Sequence, residues 1–436
     1  MTDVKPPKSH TPSEQHQQQV TTRTSTDVNQ RPDVSRTWLT QYGLAYFGSC
    51  IGWAAPSQLL LGNQLMILRP EDKENALSLL MMIGGAAMVI TSLFTGYLSD
   101  RTRSKIGRRM PWILAGTAIC TACLALMPGS PNFALLVGLW AVFQIFMAFV
   151  TNNLLTLGPD VAPQRQFGMI SGVLGATYTL GLVLGTVVAS AVALAPAYYI
   201  TAGLLMVLVC QMATGPGLRK LLEAERHADQ YGDDATESVF NTAVSLEKGA
   251  YRDYWWVFAS RFVVHIGNYV ALFYLLYYLK DHIGVANPDE GVMLLTVIYA
   301  VCTIITAIVG GSLSDKLHRR KIFVIIASWS VSSATIVMAW AETLAPVIIA
   351  AVILGLAWGV FTSVDQALIN EALPSEKNRA RDVSIMTLTV GITNMLSGGI
   401  AALALNYLGG YPGLYLLCGG VCILGSLLVV PVRSSR

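Results

Sequence analysis

Charge is scarce in this sequence. Asp, Glu, Lys and Arg make up 13% of 436 residues, against 53% hydrophobic residues, where a soluble chain carries roughly a quarter charged residues. That shortage excludes an ordinary water-soluble domain. The formal net charge of +3 gives no basis for a nucleic-acid surface. Cysteine is sparse and odd in number. Cys50, Cys120, Cys123, Cys210, Cys302, Cys418 and Cys422 all fall in apolar runs, which argues against a disulfide framework. The Cys120-x-x-Cys123 pair has no further metal ligands nearby and reads as two small hydrophobes on one helix. No phosphate loop, catalytic triad or metal cluster occurs, so neither ATP-driven work nor enzymatic catalysis is expected, and no cofactor or metal. Polar stretches are few. Residues 1–37, rich in Gln, Ser, Thr and Pro, read as a disordered cytoplasmic tail without a cleavable signal. Residues 214–251 read as a cytoplasmic linker.

The remainder is apolar. Twelve runs lie near 38–66, 76–98, 110–127, 133–157, 167–194, 197–213, 252–279, 291–312, 322–340, 345–372, 382–407 and 412–431. Many approach or exceed the ~20 residues that a helix needs to cross a bilayer. Only helices are plausible, because the backbone in lipid must satisfy its own hydrogen bonds. The expected fold class is an all-α polytopic membrane protein with twelve transmembrane helices. Six fall in 38–213 and six in 252–431, followed by a short C-terminus, 432–436. Of the 29 Lys and Arg, 25 lie in segments that share one side with the N-terminus, and three (Arg69, Lys73, Lys280) lie on the other. Basic loops stay cytoplasmic, which places both termini inside a cell (inner) membrane. One basic residue, Arg261, is left within a span.

The halves repeat. The second run ends "GYLSDRTRSKIGRR" and the eighth "GSLSDKLHRRK", so Gly96–Asp100 and Gly311–Asp315 share one spacing. The fourth runs into "GPDVAP" and the tenth into "NEALP", with Asp160 and Pro163, like Glu371 and Pro374, three apart. The offsets, 215 and 211 residues, indicate duplicated six-helix halves, the plan of many secondary transporters.

At these residues the chain resembles the major facilitator superfamily. Gly96, Asp100, Arg101, Gly107, Arg108 and Arg109 match its loop motif, with a longer loop. Gly311, Asp315, Arg319 and Arg320 form the second copy, where His318 stands in place of the usual glycine. The long form is similar to the branch of glycoside–pentoside–hexuronide cation symporters and sucrose–proton symporters. The resemblance implies that these loops gate: Asp100 caps or pairs at a helix end, and the basic pair bridges helices when the cytoplasmic side is closed. The plainer reading is topogenic, five cations holding the loop in the cytoplasm. Gly168, Gly172, Gly181, Gly185, Gly391, Gly398 and Gly399 permit close helix approach.

Ionisable residues deep in a membrane are costly and mark cavities or partners. Here the deep acid is Asp365, and the deep bases are Arg261 and His265. Arg261 and Asp365 each lie about 12 Å from the cytoplasmic end of their helices. The family's fold, as the resemblance implies, lines its central cavity with the first and fourth helices of each half. The two residues are thus expected to pair beside a transport path. Arg261, His265 and Asn268 share a helix face, as do Trp358, Thr362 and Asp365. In the first half Gln144 and Asn152 share a face, Asn153 lies beside them, and Gln41 and Tyr42 occupy the first run. Amides suit hydroxyl groups and an indole suits the apolar face of a pyranose. The competing reading makes His265 a packing residue, turns Trp358 to lipid, spends the asparagines between helices and makes the ion pair a fixed brace. Trp255, Trp256, Tyr274, Tyr277 and Tyr278 are expected at the lipid interface.

The sodium-coupled members of the resembled branch use acids in their second and fourth helices. Here neither span has one before Asp100 or Asp160, which favours the proton as coupling ion, carried by Asp365 and His265. The expected function is secondary active transport by a monomer in the lipid bilayer: proton-coupled import of a small-molecule solute, a sugar or glycoside, by alternating access. A proton-coupled exporter of drugs or metabolites is the alternative, and a non-transporting membrane sensor the third reading.

Overall fold

The structure, a computed structural model, describes residues 33–214, 219, 222, 251–317, 319–372 and 379–432. The N-terminal tail to residue 32, nearly all of the linker, His318, Pro374 and the last four residues lie outside the described residues. All regular structure among the described residues is helical.

Twelve long helices succeed one another among the described residues. We number as α1 the composite of Arg36–Ala55, a wide π-helical turn at Pro56–Leu60, and Leu61–Leu68. Next come α2 (Lys73–Arg101), α3 (Met110–Leu126), α4 (Phe133–Val161), α5 (Phe167–Ala191) and α6 (Leu194–Cys210). The second half holds α7 (Arg252–Phe273), α8 (Pro288–Leu317), α9 (Arg320–Ala339), α10 (Leu344–Ala372), α11 (Arg379–Tyr407) and α12 (Tyr411–Leu428). Beyond α7 the chain makes one short turn, Leu275–Tyr277, and a second π-helical turn, Tyr278–His282. Ten helices are long and apolar enough to cross a membrane among the described residues; α1 and α11, richer in polar residues, complete the twelve. The ends have local causes. Ser35 caps α1 by accepting from the Trp38 N–H at 3.1 Å, and Asn132 caps α4 by accepting from the Leu135 N–H at 2.9 Å. Gly409 and Gly410, at φ of 84° and 78°, turn α11 into α12 through backbone that other residues avoid.

Packing repeats the duplication. In the first half α1 packs on α5 and α6, α4 on α2 and α3, and α3 on α6; α7 on α11 and α12, α10 on α8 and α9, and α9 on α12 are their counterparts. The halves meet through α2 with α11 and α5 with α8, again a symmetric pair. Glycine sets the closest crossings. A Cβ on Gly359 would stand 2.3 Å from the Thr303 carbonyl oxygen and 2.9 Å from the Ala307 nitrogen, so α10 rests on the backbone of α8. Gly181 and Gly185 do the same for α5 on α1, while Gly391, Gly398 and Gly399 meet Val89, Ser78 and Met82 of α2. Gly168 and Gly172, expected at a close crossing, face open space, while Ile170 and Val173 of the same turns pack on α4 and α1.

The two ends of the bundle differ. We call the end that carries the 101–109 loop the motif side and the other the far side. On the far side the halves are tied together. Lys73 pairs with Asp281 at 2.6 Å, Asn63 donates to the Asp289 carboxylate at 3.0 Å, and Asn406 donates to Asn75 at 2.9 Å. The Tyr274 hydroxyl donates to the Glu74 carbonyl at 2.7 Å and the Tyr277 hydroxyl to the Gly62 carbonyl at 3.0 Å. These tyrosines, with Tyr278, correct the sequence expectation. They are fully buried, and Tyr278 donates to the Met338 carbonyl at 2.7 Å. Their partners are backbone carbonyls rather than the lipid interface, because a phenol can bury its ring only where its hydroxyl finds an acceptor. Trp255 is 46% exposed and Trp256 half-buried. Replacing Tyr277 by Phe removes one neutral hydrogen bond of about 1 kcal/mol from the sealed form. Labelling of a single cysteine at Ser78, read against the parent protein, should rise roughly fivefold; unchanged labelling would show that the hydroxyl does not hold the seal.

Candidate functional site

The Arg261 guanidinium and the Asp365 carboxylate form an ion pair between α7 and α10, with both side chains buried. A third helix joins it: Arg261 Nε donates to the Thr389 hydroxyl of α11 at 3.0 Å. The local sequence explains the placement. Ser260 donates to the Gly425 carbonyl at 2.7 Å, and Gly267 and Gly425 bring α7 against α12. This fixes one face of α7 to its own half and leaves Arg261, His265 and Asn268 on the faces toward α10 and α11.

His265 continues the cluster one turn on. Its Nδ1 lies 2.8 Å from the Arg261 carbonyl oxygen. A carbonyl only accepts, so Nδ1 carries the proton and Nε2 is left as the acceptor. The ring stands edge-on to Trp358 at 5.1 Å and to Phe361 at 5.6 Å, and Tyr269 lies 5.9 Å away. Trp358 therefore packs on His265, at a site inside the bundle. Thr362 spends its hydroxyl on the Trp358 carbonyl of its own helix. Asn268 is buried, and its Oδ1 has no hydrogen-bond partner.

The first-half candidates are not brought into this cluster. Tyr42 is buried against α4, donates to the Leu154 carbonyl at 2.9 Å and stacks on Trp38 at 4.9 Å. Asn153 donates to the Phe149 carbonyl of its own helix at 2.8 Å, and Asn152 is half-buried beside it. Gln144 packs where α4 crosses Gly84 of α2, and the Gln41 carbonyl accepts from Gln211 at 2.7 Å. Three of these amides nevertheless hold a buried oxygen without a partner: Gln41, Gln144 and Asn153. Each such oxygen costs about 1–3 kcal/mol while unpaired, which makes it a place where a hydroxyl donor would bind favourably.

Sequence reasoning missed the tyrosines. Tyr178 of α5 lies within electrostatic reach of Tyr46 of α1, Tyr269 of α7 and Tyr299 of α8. It is 43% exposed although ringed by these groups, so it faces the space between the halves. Extending the Arg261–His265 spacing by one more turn would have reached Tyr269. Tyr46, Tyr178 and Tyr299 carry no charge in an apolar run and stood out by nothing.

At the motif loops Gly107 adopts φ of 97°, a turn that needs glycine. Trp112 donates to the Thr102 hydroxyl at 2.8 Å, and the Arg101 guanidinium lies 4.0 Å over the Tyr97 ring. Arg109 pairs with Asp160, so the loop is bridged to the end of α4 within one half. Arg108 is half-buried next to it. Gly96 has open space beside it. In the second copy Arg319 is exposed and Arg320 opens α9; the surroundings of Gly311 and the side chains of Asp100, Asp315 and Glu371 lie outside what the structure describes.

Solved structures share this architecture. The chain is similar to a nucleoside transporter, NupG, with a TM-score of 0.70 at 12% identity over 91% of this chain and 99% of that one. It is similar to a peptide transporter, POT, with a TM-score of 0.71 at 12% identity over 94% and 97%. A POT family transporter in complex with 5-aminolevulinic acid gives 0.68 at 13% identity over 92% and 98%. At such identities the likeness is one of fold. No curated protein matches the chain in sequence. The sequence profile described as Major Facilitator Superfamily matches residues 3–244 and 257–436. With twelve helices in two repeated halves and a polar cluster between buried helix faces, the chain belongs to the Major Facilitator Superfamily of transporters.

Proposed function

We propose that this protein imports a sugar or glycoside together with a proton, by alternating access, as a monomer in the cell membrane with both termini in the cytoplasm. The observation that carries this reading is the buried Arg261–Asp365 pair held to α11 through Thr389. Protonation of Asp365 removes the negative charge and leaves Arg261 as a buried, uncompensated cation, a costly state. The cation must then find other acceptors, and solute hydroxyls are suitable ones. Solute binding and protonation thereby favour each other, which is the linkage that symport requires. His265 Nε2, close by, is the accepting nitrogen for a second stage of proton movement. The partnerless amide oxygens of Gln41, Gln144, Asn153 and Asn268 suit a hydroxyl-rich, uncharged solute, and the His265–Tyr269–Trp358 rings offer stacking faces.

One proton moving through about 100 mV carries roughly 2.3 kcal/mol, enough for about 50-fold accumulation. The test is proton uptake by proteoliposomes on addition of neutral mono- and disaccharides and their glycosides. Inward proton flux with at least one of them is expected. Solute movement without proton flux would remove the coupling, and the absence of either with any saccharide would remove the sugar.

A further inference from the structure

The polar cluster does not end the site. On α7 the face that carries Arg261, His265 and Asn268 continues at the same helical spacing to Leu272, and Leu275 opens the short turn that follows. On α10 the face that carries Asp365, Phe361 and Trp358 continues to Leu354 and Ala351. These continuations converge on a cavity of 40 Å³, whose lining also includes Tyr299 of α8 and Gln58 of α1. Leu272 and Leu354 each lie eleven residues beyond the ion pair on their helices, about 16 Å toward the far side.

Three observations make this more than a packing gap. Tyr299, which lines the cavity, lies within hydrogen-bonding reach of the Asn268 side chain, so one lining residue links the cavity to the residue that holds a partnerless oxygen. Gln58 reaches it from the opposite half out of the π-helical turn of α1, a distortion that recurs at functional positions in helices. The lining residues Leu272, Tyr299 and Gln58 are half-buried whereas Ala351 and Leu354 are buried. The cavity is thus walled mainly by apolar side chains of the second half, with Gln58 and Leu182 closing it from the first half.

We infer that this cavity is the receptor for a short apolar substituent of the transported glycoside, with the sugar ring held between it and the Arg261–Asp365 pair. The inference rests on the glycoside reading above and adds the direction in which the solute lies. An apolar cavity of about 150 Å³ takes the six carbons of a benzene ring, so about a quarter of that volume takes a chain of one or two carbons and refuses an aromatic ring. Each methylene buried there multiplies affinity by about four.

The test is competition by methyl, ethyl, propyl and phenyl β-glucosides and β-galactosides for uptake of the preferred saccharide in proteoliposomes. Ethyl glycosides are expected to bind about 4-fold more tightly than methyl glycosides, and propyl and phenyl glycosides no better than ethyl. In Ala351→Leu, which fills the cavity, the ethyl-to-methyl ratio should fall to about 1. A single elution peak and an unshifted melting temperature report the fold, and Ala351→Val gives the same reading with a smaller insertion. Affinity flat across the series in the parent protein, or a chain-length preference that survives in the filled variants, overturns the inference alone. Failure of all the glycosides to compete or to be taken up overturns the glycoside reading and the inference with it.

Discussion

Asp365→Asn should reduce accumulation of solute against its gradient by about 50-fold, to the equilibrium level, while exchange of internal for external solute continues. The amide cannot take up a proton at any working pH, so the step that links solute to proton is lost, whereas the binding surface keeps its shape. The substitution also leaves Arg261 as a buried cation facing a neutral group. Breaking a buried ion pair in this way costs roughly 3–5 kcal/mol, so melting of the purified protein should fall as well. A double replacement, Arg261→Gln with Asp365→Asn, separates the two effects. It removes the stranded charge and should restore stability without restoring concentrative uptake. Recovery of both in the double variant would make the pair a brace that fixes helix register, and full accumulation with unchanged pH dependence in Asp365→Asn would remove Asp365 from the proton path.

Gly359→Val should be the most damaging of the single substitutions at a helix crossing. The first added carbon already falls on the Thr303 carbonyl and the Ala307 nitrogen. Both are backbone atoms of α8 that cannot rotate aside. Overpacking of this kind typically costs 1–3 kcal/mol and occasionally more; with two further methyls pressing on a main chain the upper end is expected. Thr303 would lose its hydrogen bond to the Gly355 carbonyl, now 3.1 Å, as α10 is pushed off. Thermal unfolding of detergent-solubilised protein measures the effect, with Gly168→Ala as the control. Gly168 faces open space, so its replacement should be neutral or slightly stabilising through helix propensity. A melting temperature for Gly359→Val equal to that of the parent would show that α8 and α10 part easily at this crossing.

How far the sequence foretold these arrangements depended on the range of the information. Apolar length and motif spacing are local, and they were enough for twelve helices and a duplicated plan. Arg261 emerged because counting left it alone in lipid, and Asp365 because depth could be reckoned along each helix. The burial of Tyr274 and Tyr277 was not legible. Their acceptors, the carbonyls of Glu74 and Gly62, lie some two hundred residues away, and a backbone carbonyl leaves no signature in a side-chain sequence. The same holds for Tyr42, whose polar atom alone suggested the cavity while its whole environment is the interface of α1 with α4. Tyr46, Tyr178 and Tyr299 come together only because α1, α5 and α8 do, which no local pattern expresses. Open space beside Gly168 and Gly172 likewise depends on how the helices are placed, which composition does not record.

Among the described residues each half has one wide turn, 20 residues beyond the start of α1 and 26 residues beyond the start of α7. Each holds one residue more than a regular turn of helix, which is about 1.5 Å of surplus axial length, and rotates the succeeding residues by about 100°. One lies inside α1 and the other in the segment that joins α7 to α8, on the side where Lys73, Tyr274 and Tyr277 tie the halves together. A load on that side can be taken up in these turns, by one that narrows or migrates. The sealed end then works as a pair of compliant joints rather than as a rigid hinge.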